Sequence, residues 1–293
     1  MTPELYSQIR RINFKMEKLV TDLLAGAYRS RFKGRGMEFE EVREYNQGDE
    51  VRTIDWNVTA RMNAPYVKRF REERELTVIL LVDISLSAYF GRDKTKRQAM
   101  AEVGALLAFA AIKNNDKIGL ILFSDRIEKY VPPAKGSKHV QRLIRELVAA
   151  NPQGKKTDIK QALKFLNQVQ TKPAVVFLLS DFLSPTYEKD LKISEKAHDL
   201  IAIRVLDPLE ITLKQEALKP FSLIEFSDLE SGENRMIDTS SKPVQAYFEG
   251  ERKKLDESFF SQMGKAGVPV IDLKSNEPFD RPLEKFFKTG KKR

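Results

Sequence analysis

Between Leu76 and Leu206 the chain alternates short, almost wholly apolar runs with longer segments of helical spacing. The runs are Leu76–Val82, Lys117–Phe123, Ala174–Leu179 and Leu200–Leu206. They are compact and partly β-branched, as strands buried on both faces are. Between them, residues 94–113 (mostly apolar from Met100 to Ile112), 137–149, 158–170 and 188–197 read as helices. Ile127–Val131 reads as a short edge strand, with Pro132-Pro133 stopping it. Strands alternating with helices predict an α/β fold: a doubly wound, mostly parallel sheet with helices on both faces.

Both flanks depart from this rhythm. Leu5, Ile9, Ile12, Phe14, Leu19, Leu23 and Leu24 approximate helical spacing over residues 4–25. Arg29, Arg31, Lys33 and Arg35, punctuated by Gly34 and Gly36, then predict an irregular basic loop. Residues 37–75 are dense in charge and aromatics, with a turn signal at Asn46-Gln47-Gly48-Asp49. They read as short strands and turns, with Trp56 as a core or inter-segment anchor. Beyond Pro208, Phe221–Phe226 and Arg235–Asp238 flank Glu230-Ser231-Gly232-Glu233-Asn234, a β-hairpin pattern inserted at about 210–240. A helix from Pro243 to Met263, a strand Val268–Leu273 and a short helix at 280–288 follow. The expected division is an N-terminal accessory region of helix and short strands, 1–75, and an α/β domain, 76–293.

Composition removes several chemistries. With no cysteine there is no disulfide, thiolate nucleophile or Cys-based zinc site. His139 and His198 are too far apart for an HExxH helix. No P-loop and no GxSxG elbow are present, and Gly34-Arg35-Gly36 is not continued to a GxGxxG. No apolar run approaches the ~18 residues of a membrane span, and the N-terminus lacks a signal-peptide pattern, so the expected location is the cytoplasm. The net charge of +9 raises the question of nucleic acid. The candidates are the basic loop with Arg61, Lys68, Arg69, Arg71 and Arg74, but Glu72, Glu73 and Glu75 interleave with them. That pattern favours an ion-paired surface over a nucleic-acid-binding module.

One constellation carries chemistry. The run Leu76–Val82 ends in Asp83-Ile84-Ser85-Leu86-Ser87, where doubly wound sheets bind ligands. Thr157 stands in Gly154-Lys155-Lys156-Thr157-Asp158 before a helix, and Asp181 ends a strand in Ser180-Asp181-Phe182. Asp83, Ser85, Ser87, Thr157 and Asp181 offer only hard oxygens, suited to Mg²⁺, Mn²⁺ or Ca²⁺ and poorly to zinc or copper. Simpler roles compete: serines as turn formers, Thr157 or Asp158 as a helix N-cap, Asp181 as a turn cap. Asp83 as a phosphoryl-accepting nucleophile, in an Mg²⁺-dependent phosphatase or nuclease, would want a second carboxylate where Ser85 and Ser87 stand.

The Asp-x-Ser-x-Ser, Thr and Asp set resembles the metal-ion-dependent adhesion site (MIDAS) of von Willebrand factor A domains. The segments Gly36–Tyr45, Gly48–Trp56 and Ala60-Arg61 resemble the bacterial domain-of-unknown-function family fifty-eight. That family joins such a block to a von Willebrand A-like domain, and its members are often encoded beside MoxR-type AAA+ ATPases. The resemblance spans roughly Gly34 to Leu206. It implies that Ser85, Ser87 and Thr157 touch the metal, with Asp83 and Asp181 acting directly or through water. An open coordination position would take a partner's carboxylate. The implied role is a docking adaptor, not an enzyme, with a MoxR-type ATPase and an unknown client as partners. Leu86 and Ala88 stand where many such loops have Gly and Met.

Overall fold

The computed structural model describes residues 3–20, 28, 31–32, 38–62, 64–71, 75–91, 94–184, 186–213, 223–227 and 234–289. Leu23, Leu24, Arg29, Lys33, Arg35, Arg74 and the 228–233 turn lie outside them. In chain order the elements are α1 (Pro3–Leu19), β1 (Glu38–Glu44), α2 (Trp56–Met62), β2 (Tyr66–Arg71), β3 (Thr77–Asp83), α3 (Lys96–Lys113), β4 (Lys117–Phe123), β5 (Ile127–Ala134), α4 (Ser137–Ala149), α5 (Ile159–Val169), β6 (Val175–Ser180), α6 (Glu188–Ala197), β7 (Asp199–Leu206), α7 (Pro208–Ile211), β8 (Leu223–Ser227), β9 (Asn234–Asp238), α8 (Lys242–Ala266), β10 (Val270–Lys274) and α9 (Asp280–Thr289).

The expected doubly wound sheet is present, with strand order β10-β7-β6-β3-β4-β5. All neighbours are parallel except β4 and β5. Side chains alternate between its faces, so each apolar run feeds two cores. Val78, Leu80 and Val82 of β3 pack into one core, with residues of α1, α3, α4 and α9. Ile79 and Leu81 pack into the other, with residues of α5, α6 and α8. The β8–β9 pair is the antiparallel hairpin expected after Pro208.

α3 is buried around nearly its whole circumference, as an apolar helix must be. Its Gly104 lets Leu147 of α4 approach closely: a Cβ there would lie 3.1 Å from Leu147 Cδ1. α1 packs on α3 and α4, with Ile12 and Met16 buried at helical spacing and Val20 buried just beyond its end. Phe14 falls between those positions and is 76% exposed. Tyr28 and Phe32 reach the same core, and Phe32 stacks edge-on against Phe177 of β6.

Three details differ from the sequence expectation. β5 does not stop at Pro132 but runs to Ala134. Its register against β4 slips between Val131 and Ala134, which takes up residues that cannot donate to a ladder. Second, residues 56–62 are helical, between the antiparallel strands β1 and β2. Asp55 accepts from the amides of Asn57 (3.0 Å) and Val58 (3.3 Å), capping that helix. Third, Trp56 is 68% exposed and anchors no core. The short α2 buries none of its residues, so a side chain on it has no interior to enter.

Met16→Ala is expected to destabilise the protein by about 3 kcal/mol, the usual cost of emptying a core site. Phe14→Ala, one half-turn away, should stay within about 0.5 kcal/mol. Urea unfolding of the two variants checks this. Equal effects would mean that α1 does not belong to the sheet's core.

Candidate metal centre

The strand order reverses beside β3, since β4 lies on one side and β6 on the other. The carboxyl ends of β3 and β6 therefore stand at the usual ligand position in such sheets. Asp83 ends β3 and Asp181 follows β6. Ser85 and Ser87 lie in the turn after β3, which continues as a 3-10 turn, Leu86–Tyr89. Thr157 stands two residues before α5.

The structure brings all five predicted residues together. Thr157 Oγ1 lies 2.8 Å from Ser85 Oγ and 3.3 Å from Asp83 Oδ2. Ser85 Oγ lies 3.1 Å from Ser87 Oγ. Asp181 is close enough to Asp83 to raise its pKa, and Ser87 favours the charged form of Asp181. Asp83, Ser85, Thr157 and Asp181 are buried, while Ser87 is part-exposed. The competing cap role falls to Asp158, whose carboxylate accepts from Gln161 N at 2.9 Å; Thr157 is left free for the cluster. Asp181 does hold its own turn, accepting from Leu183 N at 3.1 Å.

Each loop is fixed by its own device. The Thr157 loop hangs on two carboxylates, Asp125 of the β4–β5 turn and Glu128 of β5. Glu128 accepts from the amides of Gln153 (2.9 Å) and Gly154 (2.8 Å), and Asp125 from those of Lys155 (3.2 Å) and Lys156 (3.3 Å). A Cβ at Gly154 would lie 2.2 Å from Asp125 Oδ1 and from Ser124 Oγ, so a larger residue would displace these side chains from the loop they hold. Lys155 O then accepts from Leu86 N at 3.2 Å, joining this loop to the serine turn. Arg97 donates to Tyr89 Oη and to the carbonyl of Ala150, bracing the 3-10 turn from α3. After β6 the chain bends through Phe182, which takes a left-handed φ of 60°, a conformation bulky residues rarely adopt. Its ring is held against Phe259 at 4.9 Å.

Three site residues escaped the sequence reading. Ser180 Oγ donates to Asp83 Oδ2 at 2.7 Å. Lys96, wholly buried in the first turn of α3, donates to Asp181 Oδ2 at 2.7 Å and to Glu210 Oε1 at 2.6 Å. A lysine at a helix N-terminus opposes the helix dipole, and that misfit was the available signal. Burial, reinforced by the Asp181 carboxylate, pushes the Asp83 carboxyl up to about 6 against its hydrogen bonds from Ser180 and Ser85. Burial acts the same way on Asp181, but the Lys96 ammonium and the Leu183 amide outweigh it and hold that carboxyl below its ordinary range.

This donor set fits a small hard cation. Oxygens at 2.0–2.1 Å around an octahedral Mg²⁺ stand about 3 Å apart, close to the 2.8, 3.1 and 3.3 Å separations here. Among the described residues no group of three His, Cys, Asp or Glu could hold a metal, so any ion bound here relies on hydroxyl oxygens. Neither histidine contributes. His139 Nε2 bonds the carbonyl of Ile118 at 2.8 Å, and His198 is buried where the chain enters β7. No helix among the described residues is long and apolar enough to cross a membrane.

Residues 41–257 match the family described as "Protein of unknown function DUF58". The uncharacterized protein Mb1516 of Mycobacterium bovis is 28% identical over 215 residues, covering 72% of this chain and 68% of that one. Among solved structures, an aerotolerance-related membrane protein from Bacteroides fragilis matches at 14% identity, over 72% of this chain and 96% of that one, with a TM-score of 0.50. The VWA domain of SpRpn10 matches at 12% identity over 75% of this chain and 99% of that domain, with a TM-score of 0.36.

The state of Asp83 gives a pH prediction for protein kept in chelator. A carboxyl raised to about 6 binds its proton more tightly folded than unfolded, where it titrates near 3.9. The penalty of ionising it is thus absent below about pH 4 and complete above about pH 6. Asp83→Asn should raise the denaturation midpoint at pH 7.5, with the gain shrinking as pH falls from 6 to 4. A gain independent of pH would show that ionised Asp83 is not the source.

Proposed function

The chain belongs to the DUF58 family, and from that membership and the oxygen cluster at the ends of β3 and β6 we propose that it is a docking module that grips one divalent cation, Mg²⁺, and presents it to a partner protein. The observation that supports this most is the run of mutually bonded oxygens Asp83–Thr157–Ser85–Ser87, with the buried Asp181 at the end of the neighbouring strand. Ser85, Ser87 and Thr157 would be direct ligands. Asp83 and Asp181 would contribute directly or through water. Bound there, the ion would supply Lewis acidity for a carboxylate.

The chain's own residues account for the rest. Three neutral hydroxyls donate little charge, so the grip would remain electrophilic toward an anionic side chain. Ser87, the part-exposed member of the set, marks where that side chain would enter. Burial of the others excludes water from all but that side, which strengthens a charge contact. Docking is favoured over turnover because no histidine reaches the cluster and the two carboxylates are already engaged by hydrogen bonds. The basic surface offers less support for nucleic acid. Arg31 lies over the Phe286 ring, and Lys68 pairs with Asp55. By family resemblance, we assign a MoxR-type AAA+ ATPase as the partner, with the protein as its adaptor to a client.

Titration calorimetry with Mg²⁺ and Mn²⁺ tests the reading. One site is expected in the wild type, and none in Asp83→Ala/Ser85→Ala. Absence of binding in the wild type would sink it, as would equal binding by the double variant.

A further inference from the structure

Lys96 has no place in the oxygen set just described, yet it is the most deeply committed charge beside it. Its side chain is wholly buried, and its ammonium spans Asp181 Oδ2 at 2.7 Å and Glu210 Oε1 at 2.6 Å. It starts α3, directly after the loop that carries Ser85 and Ser87, with its amide bonded to Phe90 O at 3.0 Å. Both oxygens of Asp181 are thereby engaged, one by the ammonium and one by the Leu183 amide. An entering cation finds this carboxylate already held by another positive charge.

We propose that Lys96 is a resident counter-cation of the site, which competes with a divalent ion for Asp181 and so weakens metal binding, with Glu210 as the acceptor that draws the ammonium away. The inference rests on the docking reading above and adds a control element to it. Like charges a few ångströms apart in a buried site repel strongly, so ammonium and metal cannot both sit hard against Asp181. Glu210 is fixed to receive the ammonium alone. Its other oxygen accepts from Asp207 N at 2.8 Å in a capping box that begins α7. Asp207 is itself anchored by Ser275 Oγ at 2.9 Å, just beyond β10. The acceptor is thus tied to the sheet's far edge, not to the metal loops.

Two variants should shift the affinity in opposite directions. Lys96→Met/Glu210→Gln removes one positive and one negative charge, leaving the site's net charge as it was, but frees Asp181. Calorimetric Mg²⁺ affinity should rise at least tenfold. Glu210→Gln alone keeps the amide contact to Asp207 and leaves Lys96 with Asp181 as its sole carboxylate partner; affinity should fall about tenfold. Circular dichroism establishes that each variant is folded, and the single variant carries the test if the double one is not. Unchanged affinity in both would overturn the inference while leaving the docking reading intact. Weaker binding in the double variant would do the same, and would show that Lys96 holds Asp181 in position for the metal. Failure of the wild type and both variants to bind Mg²⁺ at millimolar concentration would overturn both.

Discussion

A carboxylate with almost no contact with water has to be surrounded by donors, and Asp83 sets this requirement at the end of the central strand. Ser85 supplies its amide at 2.9 Å, Ser180 its hydroxyl at 2.7 Å, and Thr157 a longer contact at 3.3 Å. Those donors come from the turn after β3, the end of β6 and the loop before α5. Three separate connections therefore converge on one side chain. An unpaired charge at this depth would cost several kcal/mol, so the loops are not free to take arbitrary courses. Fixing one oxygen pair fixes the neighbouring hydroxyls with it.

The two-sided core makes that convergence rigid. Because β3 lies inside the sheet and feeds apolar side chains to both faces, its carboxyl end is set by packing on either side. The flanking devices, Gly154 against the β4–β5 turn and Arg97 against Tyr89, then act over short distances from a fixed base. Arg204 of β7 does similar work away from the site. It binds Asp272 of β10 through two bonds, of 2.9 and 2.6 Å, and Asp256 of α8 at 2.6 Å, which holds the outer strand and long helix to the sheet.

Strands buried on both faces are legible in a sequence because nothing polar interrupts them, and here the four runs between Leu76 and Leu206 all became strands. Asp83, Ser85 and Ser87 were legible because their spacing is local. Thr157 and Asp181 depended on placing the ends of other elements, which the strand pattern allowed. Lys96 and Glu210 were not legible as a pair: they lie 114 positions apart, and nothing in their surroundings records that the chain brings them together. Trp56 failed for a related reason. A large aromatic predicts burial only where an interior exists, and a helix of seven residues on a two-stranded ribbon makes none. The cap at Asp55 was there to be read, but the dense charge around it masked a helix too short to show a period.

The two prolines of β5 bear on how another protein could approach. Strand addition needs a row of free amides along a sheet's outer edge, and at Pro132 and Pro133 two consecutive residues have none. The register slip between Val131 and Ala134 interrupts the regular ladder there. The last part of this flank is therefore a poor template for extending the sheet. The same two residues guard the protein against pairing edge to edge with its own copies.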